Sequence, residues 1–168
     1  MPEEPFRPRE LLRALAAHDV DFVVVGGMAG TARGSAFITR DLDIVYARDG
    51  QNLKRLAAAL RDLGAQLRGA PPDVPFILDA QTLAAGAHFT FDTERGPLDI
   101  LDRPDGSPSY DELRLRAGAP LIVDGLPVLV ASLDDLIAMK EATGRPRDQV
   151  VASELRLLAD ELNRRGTP

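Results

Sequence analysis

Two aspartates two residues apart at the head of an apolar run, Asp41-Leu42-Asp43-Ile44, constrain this chain more than any other feature. Side chains alternate along a strand, so Leu42 and Ile44 point into a core while both carboxylates share the opposite face. Like charges held that close repel, and the pair is costly unless a cation lies between them. All-oxygen ligation favours Mg²⁺ or Mn²⁺ over zinc. The plain alternative is a solvated strand entrance carrying two exposed acids.

Two further features flank this pair. Upstream, Phe22-Val-Val-Val25 is a continuously apolar, β-branched run that reads as a buried strand. It stops at Gly26-Gly27, which opens a small-residue helix over 27–34. Successive backbone N–H groups at such a turn can receive phosphate oxygens, and glycine lets them approach because it has no Cβ. A tight strand-to-helix turn would explain the same pair without a ligand. Downstream, Leu98-Asp99-Ile100 sets a lone acid between apolar neighbours. If that strand lies beside 42–46, Asp99 joins Asp41 and Asp43 on one face, whereas Asp102 faces away. A buried acid needs a partner, and pairing with Arg40 or Arg103 is the alternative to a shared metal.

The remaining pattern predicts helices over about 10–18, 50–63 (N-cap Asp49), 79–85, 133–143 and 147–163. Ser132-Leu-Asp-Asp135 resembles a capping box for the fourth of these. A hairpin is expected over 87–101 around Thr93–Gly96, and another around Asp124-Gly125. Residues 69–76 hold four glycines or prolines and read as a loop. The fold class is therefore α/β (α+β), a mixed sheet flanked by helices and followed by C-terminal helices.

Composition narrows the chemistry. A length of 168 residues suits one domain, with a core over about 10–130 and a helical part over 131–164. With no cysteine, thiolate zinc sites, iron–sulfur clusters, disulfides and cysteine nucleophiles are excluded. The two histidines are too few for a histidine-rich metal site; His88 suits a hairpin surface and His18 a helix end. Net charge −6 weighs against coating an extended duplex, though one RNA end could enter a locally basic cleft. No apolar run approaches the ~18 residues of a membrane span. The acidic, proline-broken start, Met-Pro-Glu-Glu-Pro, is unlike a signal peptide, so a cytoplasmic protein is expected.

In order, Gly26-Gly27, thirteen residues, Asp41-Leu42-Asp43 and then Asp99 resemble the nucleotidyltransferase superfamily that shares the DNA-polymerase-β-like fold. The closing segment, Leu136-Ile-x-x-Lys140 followed by Gly144-Arg145-x-x-Asp148, is similar to small bacterial members, among them the AbiEii-type toxins of toxin–antitoxin pairs. The resemblance spans roughly residues 10–160. It implies a Mg²⁺- or Mn²⁺-dependent enzyme that moves a nucleoside monophosphate from an NTP such as ATP to an acceptor hydroxyl. That acceptor would be a tRNA 3′ end or a protein side chain, with a cognate antitoxin as a further partner. Gly26 and Gly27 would hold the triphosphate, and Asp41, Asp43 and Asp99 the metals, with Asp99 also activating the hydroxyl. Lys140 and Arg145 would meet triphosphate or leaving-group charge.

Each cation also has a plainer reading: Lys140 as a helix C-terminal charge, Arg145 and Arg147 as a solvated loop, Asp148 as a cap or ion-pair partner. Many active members carry Gly-Ser at the turn, where the hydroxyl reaches a phosphate; Gly26-Gly27 lacks that contact, as does the AbiEii-like branch. Two rival readings follow. One is a catalytically inactive nucleotidyltransferase-like module that binds a partner, and the weaker one is a metal-dependent phosphohydrolase using the same acids.

Overall fold

A computed structural model describes residues 5–166; Met1–Glu4, most of the stretch weighed against a signal peptide, lies outside the described residues. After α1 (Pro8–Ala17) the chain forms β1 (Phe22–Val25), α2 (Gly26–Ala32), β2 (Leu42–Tyr46) and α3 (Gly50–Asp62). Then come β3 (Gln66–Leu67), α4 (Ala80–Ala85), β4 (His88–Asp92) and β5 (Leu98–Leu101). The last elements are α5 (Tyr110–Ala117), β6 (Leu121–Val123), β7 (Leu126–Val128), α6 (Leu133–Ala142) and α7 (Pro146–Arg164). No described helix is long and apolar enough to cross a membrane.

Five strands form one mixed sheet in the order β1-β2-β5-β4-β3. Its middle pair is decisive: β2 and β5 run parallel, with Asp43 opposite Asp99 and Ile44 opposite Ile100. The apolar partners Leu42, Ile44, Leu98 and Ile100 are fully buried. That burial sets the register, because a slip of one residue would turn both acids into the core. The helix capped by Asp49, whose side chain accepts from the Asn52 N–H, buries Leu53, Leu56, Ala57 and Leu60. Fully buried Asn52 is satisfied three times, accepting from Asp21 N–H and donating to the carbonyls of Asp21 and Ala47. It pins the chain on either side of the β1–β2 pair.

The Asp124-Gly125 turn joins β6 and β7 as expected, both residues having positive φ, as a type I′ turn requires. This hairpin forms its own two-stranded sheet. It touches the main sheet where Val130 bridges Val24. Arg33, just after α2, fastens the same connection, donating to the carbonyls of Ala117, Val130 and Ala131. The entry to α6 is thereby tied to the glycine turn. Ser132 caps α6 by accepting from the Asp135 N–H, and α6 packs on α7 and α2. Two elements were not foreseen, the two-residue β3 and the helix α5 with its N-cap Ser109.

Candidate active site

A cleft of about 650 Å³ opens between the C-terminal end of β1, the start of β2 and the α6–α7 junction. It brings together Gly26, Gly27, Asp41, Asp43, Lys140 and Arg145. Asp99 completes the acid group from β5: one ligand atom from each of Asp41, Asp43 and Asp99 lies within 4.8 Å of the others. The parallel pairing places Asp99 directly beside Asp43, which is the juxtaposition the strand argument required.

Without a cation this cluster is electrostatically strained. Burial, then the charges of Asp41 and Asp99, then a proton shared with Asp99 push the Asp43 carboxyl up to about 8, while Lys140 pulls it the other way. Burial also raises Asp99, against the opposing guanidinium of Arg68. Asp99 does have an arginine partner, the alternative weighed for it above, and that arginine is Arg68 at 3.1 Å. It also bonds Asp92 at 3.0 Å and the Phe91 carbonyl at 2.9 Å. Arg103 instead donates to the Ser107 carbonyl. Sequence separation hid Arg68, since only the short β3, paired to β4, carries it to β5's side. Asp102 faces elsewhere and pairs with Arg48 at 3.8 Å. Three carboxylates with ligand atoms at this spacing form an all-oxygen donor set that suits a divalent metal of the Mg²⁺ or Mn²⁺ kind.

Gly26 has φ +66°, and a Cβ there would collide with Asp43 Oδ2. The positive φ alone favours glycine. The first amides of a helix have no partner within it, and both glycines line the cleft. Across from them Lys140 Nζ lies 3.4 Å from Asp148 Oδ1. Asp148 also accepts from the Thr143 hydroxyl at 2.7 Å, and that bond, helped by Lys140, holds its carboxyl below the ordinary range. Arg145 is 78% exposed and 3.9 Å from Asp148. The ion-pair reading of Asp148 is thus correct, and Lys140 nevertheless faces the acids across the cleft.

Three cleft residues carried no signal in the motifs. Thr39 donates from Oγ1 to Asp41 Oδ1 at 2.7 Å; its place two residues before the acid was the available hint. Phe37 and Ile38, exposed apolar residues, line the mouth. His88 starts β4 as expected and is exposed, but it too lines the cleft, with Asp105. His18 ends α1 and pairs with Asp62 at 2.5 Å.

No protein-family model matches the chain, and no curated protein matches it by sequence. Solved structures do match in shape. The antibiotic-resistance factor ANT(2″)-Ia, in complex with adenylyl-2″-tobramycin, superposes with TM-score 0.56 at 17% identity, covering 95% of this chain and 97% of that one. The lincomycin-bound lincosamide antibiotic adenylyltransferase LnuA gives 0.60 at 14% identity, covering 90% and 95%. A Thermotoga maritima protein described as a nucleotidyltransferase gives 0.50 at 18%, covering 93% and 96%. A mixed five-stranded sheet flanked by helices and closed by C-terminal helices is what this chain shares with them: it has the nucleotidyltransferase fold.

Proposed function

We propose that this chain is a nucleotidyltransferase, moving a nucleoside monophosphate, AMP from ATP among them, to an acceptor hydroxyl. The carrying observation is the meeting of Asp41, Asp43 and Asp99 within 4.8 Å at a cleft that also holds the glycine turn and Lys140. Asp41, Asp43 and Asp99 would hold the divalent metal, which when bound supplies positive charge for the phosphate oxygens and removes the repulsion among the acids. The amides of Gly26 and Gly27 receive the triphosphate. In the transfer the acceptor oxygen bonds to the α-phosphorus, the bond to the bridging oxygen breaks, and pyrophosphate leaves with the electron pair. Asp99 takes the acceptor's proton, and Lys140, with Arg145 outside it, faces the charge that gathers on pyrophosphate. Positioning and charge stabilisation carry such a transfer.

For the acceptor, two supports point to different substrates. The Leu136–Asp148 segment, similar to AbiEii-type toxins, favours a tRNA end or a protein side chain, an antitoxin partner and a cytoplasmic setting, within one nucleotidyltransferase-like domain. Two of the fold neighbours point instead to small antibiotics: ANT(2″)-Ia in complex with adenylyl-2″-tobramycin and the lincomycin-bound lincosamide adenylyltransferase LnuA. Incubation with each α-³²P-labelled NTP and Mg²⁺ or Mn²⁺ separates them, with total tRNA, total protein, tobramycin and lincomycin as parallel acceptors. Label that vanishes in the Asp41→Ala/Asp43→Ala protein supports the transferase, and the labelled arm identifies the acceptor. No label in any arm and no metal-dependent NTP binding would leave the inactive partner-binding module. Free phosphate or nucleotide, with no labelled acceptor, would point to the phosphohydrolase.

A further inference from the structure

The two glycines of the turn are glycine for different reasons. Gly26 is required by its positive φ and by Asp43. Gly27 lies inside α2 without a positive φ, and what stands nearest is a side chain: a Cβ at 27 would stand 2.7 Å from Thr39 Cβ and 2.8 Å from Thr39 Oγ1. Neither atom is the loose end of a long side chain, so a residue larger than glycine at 27 and the threonine at 39 compete for one space. The same Thr39 hydroxyl donates to Asp41 Oδ1 at 2.7 Å and lies 3.3 Å from the Asp41 carbonyl oxygen.

Resting on the nucleotidyl-transfer reading, we infer that Thr39 is a positioning residue for Asp41, and that glycine at 27 is what makes room for it. The space beside Gly27 is filled by the Thr39 side chain, hydroxyl included. That hydroxyl is aimed at a carboxylate of the acid cluster. Asp41 sits just ahead of β2 and is not held by the ladder that fixes Asp43. A short bond to one carboxylate oxygen selects its rotamer and leaves the other oxygen for a cation. Groups that orient a metal ligand in this way are worth about 10–100-fold in metal affinity.

The test uses the full chain and two readouts, Mn²⁺ affinity by calorimetry and the melting temperature of the metal-free protein. Thr39→Val keeps the shape and removes the hydroxyl; it should weaken Mn²⁺ binding about tenfold with little change in melting, while Thr39→Ser binds like the unaltered chain. Gly27→Ser should lower the melting temperature, and Gly27→Ser/Thr39→Gly, which removes the Cβ at 39 as well as the hydroxyl, should recover part of that loss, a non-additive cycle that marks shared space. Gly26→Ser, whose Cβ would meet Asp43, should gain nothing from Thr39→Gly. Thr39→Val binding Mn²⁺ as tightly as the unaltered chain would overturn the positioning role. Gly27→Ser melting unchanged would overturn the exchange of space. An unaltered chain that binds no Mn²⁺ would instead remove the nucleotidyl-transfer reading on which both rest.

Discussion

On the sheet side of the cleft, three carboxylates crowd within 4.8 Å and one of them holds its proton up to about pH 8. On the helical side, Lys140 and Arg145 face Asp148, which also accepts from the Thr143 hydroxyl. The sheet wall sets Asp43, locked in register beside Asp99, against the charges of Asp41 and Asp99, with Arg68 paired to Asp99 alone of the three. The helical wall is charge already matched, at a half-exposed helix junction. Repulsion among buried acids costs stability, whereas half-exposed ion pairs contribute little either way, about 0–1 kcal/mol. Substitutions on the first wall should therefore move activity and stability in opposite directions, and those on the second should move activity alone.

The largest effect is expected at Asp43. Asp43→Asn should reduce nucleotidyl transfer by more than about 10²-fold, beyond the loss typical of a group that merely orients a ligand. It should also stabilise the metal-free protein near pH 8 by about 1–3 kcal/mol, a typical single-substitution magnitude. The sign follows from the shift: an aspartate near 3.9 in the unfolded chain and about 8 in the folded one binds more protons when folded. Its contribution to stability is full below about pH 4 and is lost as pH rises towards 8. Melting curves from pH 4 to 8.5 should show a flatter pH dependence for Asp43→Asn. Equal slopes for the two proteins would mean that the acids are not crowded in solution.

Next in size is Lys140. Lys140→Ala should lower kcat by about 10²-fold, the low end of the range seen for charge stabilisers of a transition state. Melting should stay within about 2–4 °C, since a half-exposed pair is worth at most about 1 kcal/mol. Asp148 keeps the Thr143 hydroxyl and Arg145 in that variant. Loss of melting temperature without loss of kcat would make Lys140 a structural residue and erase the contrast between the walls.

The same contrast governs what could be read in the sequence. The sheet wall was legible because period-2 alternation around Leu42, Ile44, Leu98 and Ile100 dictates both which residues are buried and where the acids point. Only the adjacency of β2 and β5 had to be supposed, and the structure supplies it. The helical wall was legible as elements, down to the Ser132 cap, but the sequence could not say whether Lys140 meets Asp148 or a ligand. The structure shows it paired with Asp148 on the cleft wall, near enough to the acids to lower Asp43. Arg68 stayed hidden because a two-residue strand has no periodicity to detect. The helix α5 was missed because its apolar residues are sparse, with only Leu113 and Ala117 buried. Thr39 offered only its place two residues before Asp41, since its packing against Gly27 joins segments that only the fold brings together.

The smallest effect is expected at Arg145, and it tests how far the helical wall reaches into the site. Arg145 is 78% exposed and its ion pair to Asp148 is long, at 3.9 Å. A charge so placed acts on a bound triphosphate through water, and exposed charges are screened over a Debye length of about 8 Å at physiological salt. Arg145→Ala should raise KM for the NTP about threefold at low salt, within the 0.2–1 kcal/mol of an exposed pair. It should leave kcat unchanged, and it should merge with the unaltered enzyme as salt is added. A loss in kcat comparable to that of Lys140→Ala, and insensitive to salt, would require the Gly144–Arg147 turn to close over the substrate. The helical wall would then be a moving part whose matched charges describe only its resting position.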